Sequence, residues 1–335
     1  MFLRRFMALL STRNKEFLRD RSTISWNILM PVLIILGLAF TFTGGFTDQY
    51  KIGVANNQTN APAIRAFLKT RYIDFIKVTN IKQAIVKVKH HQLDMLLDVS
   101  GKKYWINKKS PKGYLAERIM RASVGNTFEP QKVSGRQTGY VDWVIPGILS
   151  MNIMFSGLFG VGFVIVRYRK NGMLKRLKAT PVTAFEYLSA QIVSRLLLII
   201  IITILIYYGT RILIGYAMYG SVMDLFIVFA LGAINMISLG LIIAARIRSE
   251  ETASGLLNLL SLPMMFLSGV WFSLDGTNPV MQKLAQVFPL THITVAARAI
   301  MLNGADLATV SPQLLILAGE SVIFLIIGSW LFRWE

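Results

Sequence analysis

The 335-residue sequence contains no cysteine, only three histidines, and charged residues at just 16% of its positions. Without cysteine the chain can form no disulfide bond, use no thiolate nucleophile and hold no cysteine-ligated zinc. The scarcity of charge accompanies 54% hydrophobic residues and a mean hydropathy of +0.52, which is more apolar than a soluble domain of average composition. A soluble enzyme, a disulfide-rich secreted module and a disordered tail are therefore excluded.

Short motifs of common catalytic sites are also missing. The sequence has no Walker A loop (G-x-x-x-x-G-K-[ST]), no G-x-S-x-G and no H-E-x-x-H, and no G-x-G-x-x-G lies between a predicted strand and helix. His90 and His91 are adjacent, so on a helix they do not face one point. A metal site needs three or four converging ligands, and we interpret the pair as an exposed helix end. We expect no catalytic residue, cofactor or metal in this chain.

Apolar residues are grouped in six runs of about 20 residues or more, long enough to cross a hydrocarbon core of about 30 Å as helices. The sequence therefore predicts a mainly α membrane protein with six transmembrane helices. The runs cover 22–47, 143–166, 187–210, 225–245, 252–274 and 307–332, with the first helix assigned to 22–44. Residues 1–21 mix apolar and basic residues, which predicts an interfacial helix on the inner leaflet.

Lysine and arginine are distributed unequally among the loops. The segments 1–21, 167–186 and 246–251 and the C terminus together carry 15, whereas the short loops 211–224 and 275–306 carry three. Because cytoplasmic loops are the positive ones, both termini are predicted to lie in the cytoplasm. The chain is then a multi-pass protein of the cell inner membrane, built from an N-terminal helix, one span, a large loop and the membrane region 141–335.

Residues 45–140 are the exception, because they carry 17 Lys and Arg against six Asp and Glu, although this topology places them outside. Long translocated domains largely escape the positive-inside bias. Alternating patterns predict a small α/β domain. The predicted strands are 50–56, 75–79, 93–99 and 103–106, and the predicted helices are 61–71, 81–91 and 114–124. Its basic surface could meet anionic lipids or an anionic substrate, or could serve solubility alone. Nucleic acid is not expected as a partner.

The cytoplasmic segment 170–181 combines a short amphipathic pattern with a break. Three apolar residues fall on one side of a helix, the basic residues fall elsewhere, and a proline ends the pattern. The residues concerned are Gly172, Met173, Leu174, Lys175, Arg176, Leu177, Thr180 and Pro181. Thr183 and Glu186 then predict a capping box for the next helix. The segment is either a basic anchoring loop or an amphipathic helix that docks a partner.

Several of these segments together resemble the permease subunits of ABC exporters of the ABC-2 type. Residues 15–21 before a helix with Pro31 resemble that family's amphipathic start, and 144–163 followed by 172–181 resemble its second helix and coupling loop. Residues 262–272 with 288–291 are similar to its fifth helix and to an external re-entrant hairpin, placed here at 275–306. A large domain between the first two spans is typical of one branch of the family.

The resemblance implies half of a transporter. Two permeases, here a homodimer, would pair in the lipid membrane, and two separate ATPase subunits would bind ATP and Mg and dock on the cytoplasmic face. The 170–181 segment would be the coupling helix: Met173, Leu174 and Leu177 would fill a groove of the ATPase, and Lys175 and Arg176 would pair with acids at its rim. The apolar spans favour a hydrophobic or amphipathic substrate, such as a drug or lipid. The alternative is a membrane-anchored receptor or lipid-binding protein that acts through its basic external domain.

Five residues are candidates for a substrate path or gate: Asn152, Phe272, Phe288, Leu290 and Glu320. By the resemblance, the hairpin forms an outer gate with the two phenylalanines and the leucine, and Pro279 and Pro289 are predicted to end its helices. For Asn152, an interhelical hydrogen bond is the alternative.

Charges within the predicted spans have several interpretations. Glu320 could face a substrate path, pair with Arg298 or line the interface between permeases. It could equally be a protonated carboxyl group bonded to a serine or to a backbone carbonyl. Arg195 is interpreted as extending its side chain to the cytoplasmic head groups.

Overall fold

The computed structural model describes residues 2–41, 50–56, 62–78, 80–89, 93–134, 140–216, 218–274 and 278–334. The chain divides into two compact units, one formed by Met1–Thr41 with Trp143–Glu335 and the other by Phe42–Asp142. His90 and His91, and the predicted start of the hairpin at 275–277, lie outside the described residues.

The described residues contain 13 helices and five strands. The helices are α1 (Phe2–Arg19), α2 (Arg21–Thr41), α3 (Pro62–Phe67), α4 (Ile81–Lys89), α5 (Pro111–Val124), α6 (Tyr140–Lys170), α7 (Met173–Lys178), α8 (Ala184–Ile214), α9 (Val222–Ala244), α10 (Glu250–Leu267), α11 (Pro279–Ala285), α12 (Pro289–Asn303) and α13 (Ser311–Leu331). The strands are β1 (Tyr50–Ala55), β2 (Ile73–Val78), β3 (Met95–Asp98), β4 (Lys103–Asn107) and β5 (Glu129–Val133).

The smaller unit is a five-stranded mixed sheet with helices on both faces. Its strand order is β2-β1-β3-β4-β5, with β3 and β4 antiparallel and the other neighbours parallel. Side chains alternate between faces along a strand, so Met95 and Leu97 join one core cluster and Leu96 joins the other, with Val88 of α4. Each predicted strand and helix has a counterpart among the described residues, although the helix predicted over 61–71 is shorter, Pro62–Phe67. The fifth strand, β5, was missed because it is a largely exposed edge strand that contains Pro130 and lacks apolar alternation.

Four helices of the larger unit are long and apolar enough to cross a membrane, namely α6, α8, α9 and α13. In the part of α2 whose side chains the structure describes, Asn27–Leu36 is a shorter apolar helix. Helix α10, which begins with two glutamates, does not meet the standard for a span. The prediction of six spans is therefore supported for four of them.

The four candidate spans are packed to different depths. α6 is the most buried and α13 the least. At the contact between α6 and α9, a Cβ added to Gly157 would lie 2.6 Å from the Met236 Cβ, and one added to Gly240 would lie 2.7 Å from the Leu158 carbonyl oxygen. Small residues allow helices to approach this closely inside a membrane, so α6 is held centrally against α9.

Two short helices, α11 and α12, occupy the segment before α13. Pro279 and Pro289 stand in their first turns, where a missing N–H costs no hydrogen bond. The prediction that these prolines end helices is therefore wrong, because each one begins a helix. Helix α12 packs against α9 and α13, and most of its side chains are buried.

Candidate functional site

Helix α7 is a single short element between two long ones. α6 ends at Lys170, and Gly172 takes a left-handed conformation with φ 69° that turns the chain into α7, a conformation that suits glycine. After α7, the hydroxyl of Thr180 donates to the Leu177 carbonyl at 2.6 Å. The predicted capping box is confirmed: Thr183 N–H donates to the Glu186 carboxylate at 2.8 Å, and Glu186 N–H donates to the Thr183 hydroxyl at 3.2 Å.

The side chains of α7 divide into a buried and an exposed set. Leu174 is fully buried within the chain, and Met173 and Leu177 are half-buried. Lys175 and Arg176 are exposed, as are Thr180 and Pro181. Leu174, which the sequence predicts to fill a groove of a partner, is packed inside its own unit in this structure. The surface that α7 offers is mainly basic.

The first helix, α1, braces the chain where it leaves α7. The Arg5 guanidinium donates to the carbonyl oxygen of Pro181 and lies 4.0 Å from the carboxylate of Glu186. The Phe2 and Phe185 rings stack with centroids 6.2 Å apart. One arginine thus joins α1 to the loop after α7 and to the first turn of α8, which restricts the position of α7.

A second set of polar contacts holds α1 against α6 and α8. The Arg13 guanidinium donates to the hydroxyl of Tyr168 and to the carboxylate of Glu16, both at 2.8 Å. The Tyr168 hydroxyl also donates to Glu16, and Ser194 donates to the Asn14 side chain. α1 is therefore held against α6 and α8 of the larger unit along much of its length.

Arg169, in the last turn of α6, clamps three chain segments together. Its Nη1 donates to the carbonyl oxygens of Ala244 at 2.8 Å and of Ile247, and its Nη2 donates to those of Ala245 at 3.0 Å and Arg333 at 2.9 Å. Carbonyls at the C-terminal end of a helix have no partner within the helix. Arg169 satisfies those at the end of α9 and ties them to the segment after α13.

Comparison with known proteins identifies the family. The model described as ABC-2 family transporter protein matches residues 21–330.

The chain belongs to the ABC-2 transporter family.

Relatives in this family are named as permeases. The probable multidrug ABC transporter permease YbhS of Escherichia coli K12 is 23% identical over 96% of this chain and 95% of its own length. The inner membrane transport permease YhhJ of the same strain is 27% identical over 54% of this chain and 49% of its own. The putative transport permease YvfS of Bacillus subtilis 168 is 26% identical over 57% of this chain and 78% of its own. The chain is accordingly a transmembrane transport permease of an ABC transporter, and its family implies a partner ABC ATPase.

Asn152 of this permease bonds to α2 four residues before Pro31. Pro31 has no N–H, so in α2 the carbonyl of Asn27, four residues earlier, loses its helical donor. The Asn152 side-chain amide donates to that carbonyl oxygen at 3.2 Å, and Ser156 donates to the Asn27 side-chain oxygen at 3.1 Å. Proline is tolerated in membrane helices when a neighbouring helix supplies such a donor. The geometry gives Asn152 an interhelical role, the alternative weighed from the sequence.

Arg195 is buried between helices. Its Nε donates to the Ser156 carbonyl oxygen at 2.7 Å, and its guanidinium lies 5.4 Å from the Phe17 ring centre. A Cβ on Gly160 would lie 1.9 Å from this Nε, so the side chain passes directly over the glycine. The interpretation that Arg195 extends to the head groups is wrong, because the absence of a side chain at Gly160 gives it a place inside the unit.

The carboxylate of Glu320, on α13, accepts a hydrogen bond from α9. Asn235 is fully buried, and its amide donates to the Glu320 carboxylate at 3.1 Å and to the Leu317 carbonyl oxygen at 3.2 Å. Asn235 thus links two candidate spans, α9 and α13, near the middle of each. Arg298 lies over the Trp143 ring, 3.7 Å from its centre, and donates to the carbonyl oxygens of Trp143 and Gly269.

The three proposed gate residues have different surroundings. Phe272 is exposed, Phe288 is half-buried at the start of α12, and Leu290 is fully buried. Near them, the Thr291 hydroxyl bridges the Ser268 hydroxyl at 3.0 Å and the Ala285 carbonyl oxygen at 2.6 Å. The contact of α10, α11 and α12 is thus made by polar bonds, and Phe272 is the most accessible of the three candidates.

Sequence reasoning missed the two arginines that matter most for the geometry around α7. Arg5 and Arg169 were counted only as basic loop residues. No local pattern marks them, because their partners are main-chain carbonyls 176 and up to 164 residues away in the sequence. Within the described residues, no group of three or more potential metal ligands occurs.

Proposed function

We propose that this chain is the permease subunit of an ATP-driven exporter that moves a hydrophobic or amphipathic substrate, such as a drug or lipid, across the inner membrane. A separate ABC ATPase would dock on α7 and hydrolyse Mg-bound ATP, and a second copy of the permease would complete the channel. The observation that carries the proposal is α7 itself: a short helix with a basic exposed surface, anchored through Leu174 and adjoining a loop held by Arg5.

The proposed topology has six spans, formed by α2, α6, α8, α9, α10 and α13, with α11 and α12 as a re-entrant hairpin. Two sets of contacts support it. The bonds of Arg169 bring the end of α6 next to the end of α9 and to Arg333. The bonds of Arg298 bring the start of α6 next to Gly269. The excess of Lys and Arg at the first end favours the cytoplasm there, which puts both termini inside and the α/β unit outside.

A rigidly held helix suits the coupling role. ATP-driven closure of two ATPases transmits force only if the contacted element moves as part of a larger body. α7 meets that requirement because Leu174 is part of the core and because Arg5 joins α1 to the carbonyl of Pro181. The exposed cations Lys175 and Arg176, which the sequence predicts for this role, and exposed Lys178 would form charge pairs with acidic residues at the rim of the ATPase groove.

The test is co-purification of the full-length protein with its ATPase from native membranes in mild detergent, followed by an ATP hydrolysis assay. Arg176→Glu with Lys178→Glu should lose the bound ATPase, because both reversed charges would repel acids on the partner. Lys108→Glu with Lys109→Glu, two exposed charges of the α/β unit, is the matched control and should retain it. Leu174→Asp is unsuitable here, since a buried charge would unfold the unit.

A preparation with no ATPase would contradict the proposal and favour a receptor or lipid-binding role for the α/β unit. If the α7 variant retains the ATPase, the proposal that the ATPase docks on α7 would be wrong, but the chain could still be a transporter permease. The substrate class is tested separately, by efflux of a hydrophobic dye from cells with and without the permease. The name of YbhS, a probable multidrug permease, supports that choice of substrate.

A further inference from the structure

A basic cleft of about 320 Å³ opens beside α7, where the end of α6 meets the turn after α9 and the segment after α13. Five residues line this basic cleft: Arg169, Lys170, Lys175, Arg248 and Trp334. Four of the five are cations. The five lining residues come from four stretches of chain, so the cluster exists only in the folded unit.

The positive charge of the basic cleft is only partly neutralised. Lys170 lies 3.6 Å from the Glu250 carboxylate and 4.0 Å from that of Glu251. Among the residues that the structure describes, no carboxylate lies within 4.0 Å of Lys175 or Arg248. The two glutamates therefore offset the charge of Lys170 alone. Lys175 and Arg248 remain as positive charges that attract an anion.

The back wall of the basic cleft is rigid and contains an unused donor. Arg169 is buried, and its two terminal nitrogens are held by main-chain carbonyls of two segments, the end of α9 and the segment after α13. Its Nε–H is buried and has no hydrogen-bond partner in the described part of the chain. A buried donor without a partner is costly unless a ligand or water completes it.

The aromatic side of the basic cleft indicates its depth relative to a membrane. The Trp334 ring packs against the Tyr187 ring with centroids 5.5 Å apart and against Phe332 at 5.4 Å. Tryptophan and tyrosine gather at the level of the lipid head groups. Three candidate spans, α6, α9 and α13, also end within a few residues of the cleft. These features are typical of the level at which the phosphates of one leaflet lie.

We propose that the basic cleft binds the phosphate group of an anionic phospholipid from this leaflet. Basic pockets between transmembrane helices on the cytoplasmic side suit such head groups. Lys175 and Arg248 would contact the phosphate, and Trp334 would lie beside the glycerol region. The inference rests on the proposed membrane orientation and is independent of the proposed ATPase. A soluble phosphate ester has the same chemistry and is distinguished by the test.

The test uses the full-length permease, purified without ATPase and reconstituted in phosphatidylcholine nanodiscs. Increasing fractions of phosphatidylglycerol or phosphatidylcholine, brominated near the glycerol end of the chains, are introduced, and quenching of tryptophan fluorescence is measured. The chain has six tryptophans, so the difference between wild type and Trp334→Phe isolates the signal of Trp334. Phosphatidylglycerol should quench that signal at about tenfold lower mole fraction than phosphatidylcholine.

Two matched charge reversals localise the effect. Lys175→Glu with Arg248→Glu should abolish the preference for phosphatidylglycerol, because each cation near a membrane strengthens anionic lipid binding by roughly fivefold. Arg176→Glu with Arg246→Glu changes exposed charges of the same two segments that do not line the basic cleft, and should retain the preference. Circular dichroism and gel filtration confirm that both variants are folded.

Equal quenching by the two lipids, or an unchanged preference in the cleft variant, would overturn the proposal. Displacement of the lipid signal by millimolar glycerol phosphate would assign the basic cleft to a soluble phosphate ester instead. Loss of the signal on adding the ATPase would assign it to acidic residues of that partner. No step of the assay uses ATP. A negative result for the lipid therefore does not bear on ATPase docking, and a negative result for docking does not bear on the lipid site.

Discussion

The bond between Asn152 and the Asn27 carbonyl leads to a sharp prediction about Pro31. The carbonyl needs an external donor only because Pro31 cannot supply the helical one. Asn152→Ala removes that donor from a carbonyl inside the larger unit. In a Pro31→Ala background, the new N–H of residue 31 can bond Asn27 within α2, so the same change should matter much less.

The magnitude follows from the 3.2 Å bond. Interhelical hydrogen bonds in membranes contribute about 0.6 kcal/mol on average and up to about 1.7. A buried group left without its partner costs about 1–3 kcal/mol. We therefore expect Asn152→Ala to destabilise the wild type by about 2 kcal/mol and the Pro31→Ala protein by less than about 1 kcal/mol. The coupling of about 1 kcal/mol exceeds the error of additivity for independent sites.

The assay is a double-mutant cycle on the purified permease, with unfolding followed in increasing fractions of denaturing detergent. Ser150→Ala is the control, because the Ser150 hydroxyl donates to the Pro146 carbonyl of its own helix at 2.7 Å and should not couple to Pro31. Equal costs of Asn152→Ala in both backgrounds, within about 0.5 kcal/mol, would refute the reasoning. A transport assay distinguishes two roles for Asn152. If Asn152 contacts the substrate, Asn152→Ala should lose transport in both backgrounds. If it forms only an interhelical bond, transport by Asn152→Ala should recover in the Pro31→Ala background.

Four further outcomes are expected. Gly160→Ala should destabilise the permease by about 2 kcal/mol, because its Cβ would displace the Arg195 side chain from the Ser156 carbonyl. A thermal-shift assay measures this loss, and an unchanged melting point would contradict the buried position of Arg195. Arg169→Ala should cost about 3 kcal/mol or more, since several carbonyls lose a charged donor, and faster proteolysis after residue 331 should report the freed C-terminal segment. Leu174→Ala should cost about 2–5 kcal/mol as a core truncation, a loss that an interface-only role would not produce in the isolated permease. Glu320→Gln should keep the bond from Asn235 and change stability by less than about 1 kcal/mol, so a large loss of transport with normal stability would instead indicate a role for the carboxylate charge.

Local patterns were sufficient for most of the secondary structure. The strands β1 to β4, the helices α3 to α5 and the capping box of Thr183 and Glu186 depend on neighbours within a few residues, and such signals can be read from periodicity and turn residues. The roles of Pro279 and Pro289 were inverted, because proline is compatible both with the residue after a helix and with its first turn. The edge strand β5 was missed because exposed edge strands need not alternate.

Side-chain roles inside the membrane unit depended on contacts that are distant in the sequence. Leu174 looks the same in sequence whether it faces a partner or its own core, and only the packing of the unit decides that it is buried. The sequence is compatible with an Arg195 side chain at the head groups, but the packing at Gly160 leaves space for that side chain inside the unit. Glu320 had several possible partners, and the approach of α9 to α13 selected Asn235.

The sequence by itself determined the class of this protein. Its apolar runs, its missing catalytic motifs, the bias of its Lys and Arg and its resemblance to the ABC-2 permeases are properties of composition and of order along the chain. Only the tertiary structure decided which polar groups satisfy which: Arg169 bonds the C-terminal end of α9, Arg5 bonds Pro181, and Asn152 bonds the Asn27 carbonyl that Pro31 cannot donate to. It also brought four cations around one cleft. The physical reason is that buried polar groups must find partners, and those partners are brought close by helix packing rather than by position in the sequence.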